Sequence, residues 1–277
     1  MNDLAPVIEN NVALALAEDI GAGDWTAQLI PADATAAARI ICRDEAVICG
    51  APWLDACFRK LDPAVHIEWS IREGERVAAG RKLCAIQGMA RALLTGERTA
   101  LNFVQLLSAV ATTTRRYVDM VAGTHATIVD TRKTLPGLRI AEKYAVRMGG
   151  GVNHRIGLYD AILIKENHIA AAGNLIAAVR SARNLAPPDV WIEVEVETFE
   201  QLEQAISAGA KMILLDNMSP PQMREAVAIA AGRAKLEASG GITLANVREI
   251  AETGVDRISI GSLTKDIKAV DLSMRFT

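Results

Sequence analysis

No stretch of this 277-residue chain approaches the about eighteen consecutive apolar residues that cross a bilayer, which excludes a helical membrane span. A basic surplus is missing too. Lys and Arg number 30 against 33 Asp and Glu, a net charge of −3, so a general nucleic-acid binder is excluded and any cationic site must be local. Cysteine is scarce. Cys42, Cys49, Cys57 and Cys84 form no Cys-x-x-Cys pair and have no histidine at ligand spacing, so a zinc site is not expected and reduced, mostly buried thiols are. Residues 1–10 lack the basic start and apolar run of a signal peptide, and a soluble, cytoplasmic protein is the expectation. Low-complexity sequence is also absent. With 51% hydrophobic residues the chain can bury one large core or two modest ones.

What is present changes character along the chain. Residues 10–18 read as a helix running into the glycine-broken turn Asp19-Ile20-Gly21-Ala22-Gly23-Asp24. Residues 36–88 read as strands and turns, with Val65-His66-Ile67-Glu68-Trp69-Ser70-Ile71 alternating at period two, and predict a small sheet domain. Glu73-Gly74-Glu75 through Leu83 has the turn-rich look of a biotinyl or lipoyl carrier, but no hairpin tip presents a lysine for modification, and the glycines are read as turn residues. Residues 90–121 predict helix, with Gly96 and Thr112-Thr113-Thr114 read as breaking it in two.

After Ala126, short apolar runs alternate with helical segments near 175–186, 199–208 and 221–231. The runs are Thr127 to Asp130, Ala161 to Lys165, Trp191 to Glu197, Met212 to Asp216, Leu236 to Ala238 and Arg257 to Gly261, with a weak seventh expected between Tyr144 and Val152. Repeated βα units predict a parallel sheet closed or nearly closed into a barrel, whose active face lies at the strand C-terminal ends. Those ends carry the polar residues.

Arg132, Lys133, Arg139, His154, Arg155 and Lys165 make a cationic group. Lys165 closes an otherwise apolar run, so it points into the barrel or at its mouth and needs an anionic partner. Arginine suits carboxylates because its planar guanidinium donates two parallel hydrogen bonds, and several cations at one mouth imply a ligand with more than one negative group. Against them stand Glu193, Glu195 and Glu197, on one face of a period-two strand, and Asp216. The acids pair with the cations or share a divalent metal, for which oxygen donors favour Mg²⁺. Ser239-Gly240-Gly241 and Gly261-Ser262, each before a helical segment, fit a phosphate cradle after late barrel strands. A Schiff-base role for Lys165 and a non-catalytic sensor of phosphorylated metabolites are the rival classes.

Gly96-Glu97-Arg98-Thr99-Ala100-Leu101-Asn102, Asp130-Thr131-Arg132-Lys133-Thr134, Gly149-Gly150-Gly151 through Asn153-His154-Arg155, Lys165-Glu166-Asn167-His168, Glu193 to Glu197, Leu215-Asp216-Asn217 and Ser239-Gly240-Gly241-Ile242 together resemble the quinolinate phosphoribosyltransferases. The resemblance runs nearly end to end. It implies an α/β protein with an N-terminal open-faced α/β sandwich domain over residues 1–112, to which residues 268–277 return, and a C-terminal incomplete (β/α) barrel of six or seven strands over 113–267. It implies a homodimer, with Arg98 reaching the neighbouring active site; on the residues alone Arg98 would pass as a surface charge beside Glu97. Arg132, Lys133, His154, Arg155 and Lys165 would bind the two carboxylates of quinolinate. Glu195 and Asp216 would hold the ribose hydroxyls and Mg²⁺ of phosphoribosyl pyrophosphate, and Ser239, Gly240, Gly241, Gly261, Ser262 and Lys265 its 5′-phosphate. Catalysis would rest on Lys165, Lys133, Glu195 and Asp216, in de novo NAD biosynthesis. A sister enzyme taking nicotinate is the nearest alternative.

Overall fold

The structure, a computed structural model, describes residues 4–277; Met1 to Asp3, the start of the segment read for a leader, lie outside the described residues. In chain order the elements are α1 (Ala5–Ile20), β1 (Thr35–Cys42), β2 (Ala46–Val47), α2 (Ala51–Leu61), β3 (His66–Trp69), β4 (Arg76–Val77), β5 (Lys82–Met89) and α3 (Ala90–Met120). There follow β6 (Thr127–Val129), α4 (Arg139–Met148), β7 (Ala161–Ile164), α5 (Glu166–Ala171), α6 (Leu175–Leu185), β8 (Trp191–Val196), α7 (Phe199–Ser207) and β9 (Met212–Asp216). The last are α8 (Pro220–Ala230), β10 (Lys235–Ser239), α9 (Val247–Ala251), β11 (Arg257–Ser259), α10 (Ser262–Lys265) and β12 (Leu272–Phe276). The chain groups into two compact units, one of residues up to Arg115 with Leu135–Gly150 and Thr264–Thr277, the other of Arg116–Thr134 and Gly151–Leu263.

The first unit is built on an antiparallel sheet ordered β12-β1-β5-β3, in which the C-terminal strand pairs with β1 through Ile40 opposite Met274. Period-two alternation buries Ala38, Ile40 and Cys42 of β1 while Arg39 points out. Helix α2 buries Trp53, Leu54, Cys57 and Phe58, of which Leu54 and Phe58 contribute about 1.5–3 kcal/mol each. Its start is fixed by Gly50, at φ +108°, and by the Glu73 carboxylate, which accepts the N–H groups of Gly50 and Ala51 at 2.6 and 3.2 Å. All four cysteines are buried and free, and burial raises the Cys57 and Cys84 thiols to about 12.

The expected break in α3 does not occur: Ala90–Met120 is one helix of 31 residues. Thr112 and Thr114 donate their hydroxyls to the carbonyls of Ser108 and Val110 at 2.6 and 2.8 Å, so they satisfy the helix from within. Gly96 faces Phe58 and Leu61, where even a methyl group would meet carbon at 3.0–3.1 Å, so its helical cost of about 1 kcal/mol is offset by close packing. The expected weak strand at 144–152 is also corrected. Ala141 to Val146 are all buried within α4, a helix enclosed on every face along that stretch, so the apolar residues read as a strand belong to helix, and one parallel bridge between Val152 and Val129 remains.

In the second unit six parallel strands form one sheet ordered β6-β11-β10-β9-β8-β7. The interstrand positions of Ile213, Leu236, Ala238 and Ile258 are buried, and α6 adds Leu175, Val179 and Ala182 from outside. Asn174 and Thr198 cap α6 and α7 by accepting the N–H of Ala177 and Gln201 at 2.9 and 3.2 Å. Among the described residues no helix is long and apolar enough to cross a membrane.

Candidate active site

Because the strands are parallel, their C-terminal ends converge on one face. There a cavity of about 200 Å³ is lined by Arg132 and Lys133 after β6, Arg155, Lys165 after β7, Glu195 of β8 and Ser239 closing β10. Larger depressions of about 780 and 470 Å³ lie at the opposite strand ends, around Lys211, Lys235 and Arg257, where a barrel fold keeps no catalytic loops.

At the mouth, Lys165 Nζ lies 2.6 Å from Glu195 Oε2; the lysine side chain is 45% exposed and the glutamate 13%, so the pair is open to a ligand from the lysine side. Asp216 stands at the end of the next strand. Its carboxyl is raised above the ordinary value by burial and then by the charge of Glu195, against the pull of Lys165 and Lys133, and Asn217 donates to it at 2.8 Å. Two hard carboxylates that repel one another suit a divalent cation completed by ligand oxygens and water, so the donor set fits Mg²⁺. Arg155 is lowered by burial and then by like-charged Arg132, so the two guanidinium groups lie close enough to repel.

The phosphate cradle is only partly as expected. Gly240 sits at φ +97°, and a side chain there would collide with the Asn217 amide, while Gly241 is at φ +60°, so only glycine frees these N–H groups for a ligand. The helices α9 and α10 that follow are five and four residues long, too short to add much dipole. Gly261 lies against Lys133, 3.0 Å from the Cβ position to the lysine Cδ, and Ser262 opens α10. Lys265 holds Asp266 at 2.6 Å on the exposed surface. Arg98 is an exposed residue of α3, and Arg139 opens α4.

The three glutamates do not act together. Glu197 lies beyond the end of β8 and is exposed, its N–H bonded to Gln201, because the strand stops at Val196. Glu193 is fully buried below the mouth. It receives His154 Nε2 at 2.8 Å; Glu237 lies 3.5 Å from the same nitrogen and 3.3 Å from Arg257 Nε. Glu237 and Arg257 had no role in the sequence reading. The signal was present: a glutamate inside the apolar run Leu236-Glu237-Ala238 demands a buried partner. Burial raises both acids to about 7, with Arg257 and Arg155 acting against this at Glu193 and with the Glu193 charge adding to it at Glu237.

His154, Glu193 and Glu237 could by spacing hold a metal, their ligand atoms lying within 4.8 Å of one another. Hydrogen bonding opposes it. His154 Nδ1 accepts the Arg155 N–H at 2.8 Å, so the ring proton resides on Nε2 and is donated to Glu193; a metal-binding histidine has the reverse arrangement, a free Nε2 lone pair and a donating Nδ1–H.

Residues 110–275 match the quinolinate phosphoribosyl transferase C-terminal domain, and residues 24–108 match the N-terminal domain of the same family. The chain belongs to the quinolinate phosphoribosyltransferase family. A probable nicotinate-nucleotide pyrophosphorylase (carboxylating) of Bacillus subtilis is 46% identical over 260 residues, 94% of this chain and 90% of that protein. The nicotinate-nucleotide pyrophosphorylase (carboxylating) of Mycobacterium leprae is 42% identical over 275 residues, 96% and 95% of the two chains. A solved nicotinate-nucleotide pyrophosphorylase from Francisella tularensis superposes with a TM-score of 0.95 at 44% identity, covering 98% of this chain and 96% of that one. The activity that goes with this membership is the carboxylating nicotinate-nucleotide pyrophosphorylase reaction of NAD biosynthesis, EC 2.4.2.19.

Proposed function

We propose that the cavity at the strand ends is where phosphoribosyl passes from phosphoribosyl pyrophosphate to quinolinate, and that Arg132, Lys133, Arg155 and Lys165 take the two quinolinate carboxylates. The observation that carries this is the grouping of those four cations around one small cavity that also holds Glu195 and Ser239. Arginine and lysine at one mouth suit a dicarboxylate better than the single carboxylate of nicotinate.

The pyridine nitrogen displaces pyrophosphate at ribose C1, so positive charge grows on the sugar in the transition state. Glu195 and Asp216, aimed at the same face, favour that charge and accept the ribose hydroxyls. Glu195 and Asp216 would hold Mg²⁺ together with the substrate, and the bound ion would supply positive charge against the departing pyrophosphate. The bond between the adjacent ring carbon and its carboxylate then breaks, CO₂ leaves, the electron pair stays on the ring carbon beside the positively charged nitrogen, and that carbon takes up a proton. Lys165 and Lys133 stabilise the ring charge as it reorganises. The glycine N–H groups at Gly240 and Gly241, with Ser239, Gly261 and Ser262, hold the 5′-phosphate. A Schiff-base role suits Lys165 less well, because it is half exposed and ion-paired with Glu195 rather than desolvated in an apolar pocket. The active unit is a homodimer in which exposed Arg98 serves the neighbouring site.

Incubation with quinolinate, phosphoribosyl pyrophosphate and Mg²⁺ should release nicotinate mononucleotide and CO₂ in equal amounts, stop on chelation and fail with nicotinate. Product from nicotinate without CO₂ would overturn the dicarboxylate assignment. Mixing Arg98→Ala with Lys165→Ala protein should restore one working site per mixed dimer, and no recovery would place Arg98 within its own chain's site or outside any.

A further inference from the structure

Strands β6 and β7 are the two free ends of the six-stranded sheet. Between them the chain makes one backbone bridge: Val152 donates to the Ile128 carbonyl at 2.9 Å and its own carbonyl accepts from Asp130 at 3.3 Å. Beyond that bridge side chains take over the work of a strand ladder. The Asp130 carboxylate, fully buried, accepts the His154 N–H at 2.9 Å on Oδ1 and the Asn153 amide at 2.6 Å on Oδ2. The His154 ring continues the chain of bonds, accepting the Arg155 N–H on Nδ1 at 2.8 Å and donating from Nε2 to Glu193 at 2.8 Å. Residues 153, 154 and 155 are thereby each tied down. Asp130 is itself joined directly to Thr131-Arg132-Lys133.

We propose that Asp130 and His154 are positioning residues that lock the loop bearing Arg155 to the loop bearing Arg132 and Lys133, and so set the span over which the cations grip two carboxylates. His154 is on this view no ligand of the substrate: both ring nitrogens are taken up by the protein, and its protonated nitrogen points down to Glu193. The inference rests on the reading that Arg132 and Arg155 bind quinolinate.

The bonding suggests a polarity swap. In Asp130→Asn the new amide can still accept the His154 N–H but sets a donor, or an uncharged acceptor, against Asn153; adding Asn153→Asp supplies an acceptor and returns the charge. Displaced by a fraction of an ångström, the arginines should bind quinolinate worse, so Asp130→Asn should raise the KM for quinolinate about tenfold or more and leave that for phosphoribosyl pyrophosphate within about threefold. The double variant Asp130→Asn/Asn153→Asp should recover most of the loss. A merely structural role would lower the melting temperature without that split between substrates, and would overturn the proposal. Arg155→Ala separates the two levels: no change in quinolinate KM would sink the underlying ligand assignment, whereas a large change there with none in Asp130→Asn would sink this inference alone. In the unaltered protein, nitrogen NMR of labelled histidine should find His154 with bare Nδ1 and protonated Nε2, with and without quinolinate. A ring doubly protonated on adding quinolinate would make His154 a direct ligand and refute the assignment.

Discussion

Glu195 and Glu193 are two residues apart on one strand, yet they live under different physics. Glu195 reaches the mouth, where it meets Lys165 at 2.6 Å beside solvent. Glu193 is sealed beneath, against His154, Glu237 and Arg257, and both it and Glu237 are raised to about 7. At the mouth a charge is kept available for a ligand, so its loss should be read in turnover. On the floor charges are traded among protein groups, so their loss should be read in stability and its pH dependence. Depth along the strand, rather than residue type, divides chemistry from architecture.

The sharpest test of that division is Lys165→Ala, which removes the cation facing both Glu195 and the cavity; kcat/KM should fall about 100-fold to 1,000-fold while the melting temperature moves little. Next, Arg132→Ala should weaken quinolinate binding about 30-fold or more, the loss of a desolvated charge pair of at least about 2 kcal/mol, measured by calorimetric titration. An effect under about threefold would remove Arg132 from the mouth group.

The floor should announce itself by pH. Glu237 has a carboxyl near 7 when folded against 4.5 ordinarily, so between those values the native state holds protons that the unfolded chain has released. Its stabilising contribution is therefore complete below about pH 4.5 and lost as pH rises through about 7. The melting temperature should drop by several degrees from about pH 5 to about pH 8, and Glu237→Gln, neutral throughout, should flatten the slope. A slope unchanged in the variant, or a collapse of kcat at constant stability, would dissolve the distinction between floor and mouth. The smallest effect belongs to Glu197→Ala, where exposure beyond the strand end predicts less than about a twofold change in kcat/KM.

The alternation of apolar runs with helical segments after Ala126 was enough to locate all six parallel strands, because period and length are local properties. It also indicated which residues stand at the strand ends, and Arg132, Lys133, Arg155, Lys165, Glu195 and Ser239 do line one cavity. Three things were illegible. Gly96 and the threonines of α3 look like breaks, since nothing local shows that Phe58 and Leu61 pack on the glycine or that the hydroxyls bond back to the helix. Residues 144–148 carry apolar spacing that serves strand or helix, and because Ala141 to Val146 are all buried in α4, no exposed stripe along that stretch marks the helix. The three alternating glutamates look equivalent, but the end of β8 at Val196 puts Glu197 in water.

By itself, then, the sequence determined the kinds of element, their order and the chemical types at each strand end, since these follow from periodicity and from the cost of burying charge. Tertiary structure decided depth and partnership. Whether a glutamate faces the cavity, a histidine or solvent depends on strands far apart in sequence, as when β8, β10 and β11 bring Glu193, Glu237 and Arg257 around His154. Hydrogen-bond direction came last: His154 is fixed in one tautomer by a single backbone N–H, and no pattern of residues along a chain states which way a proton points.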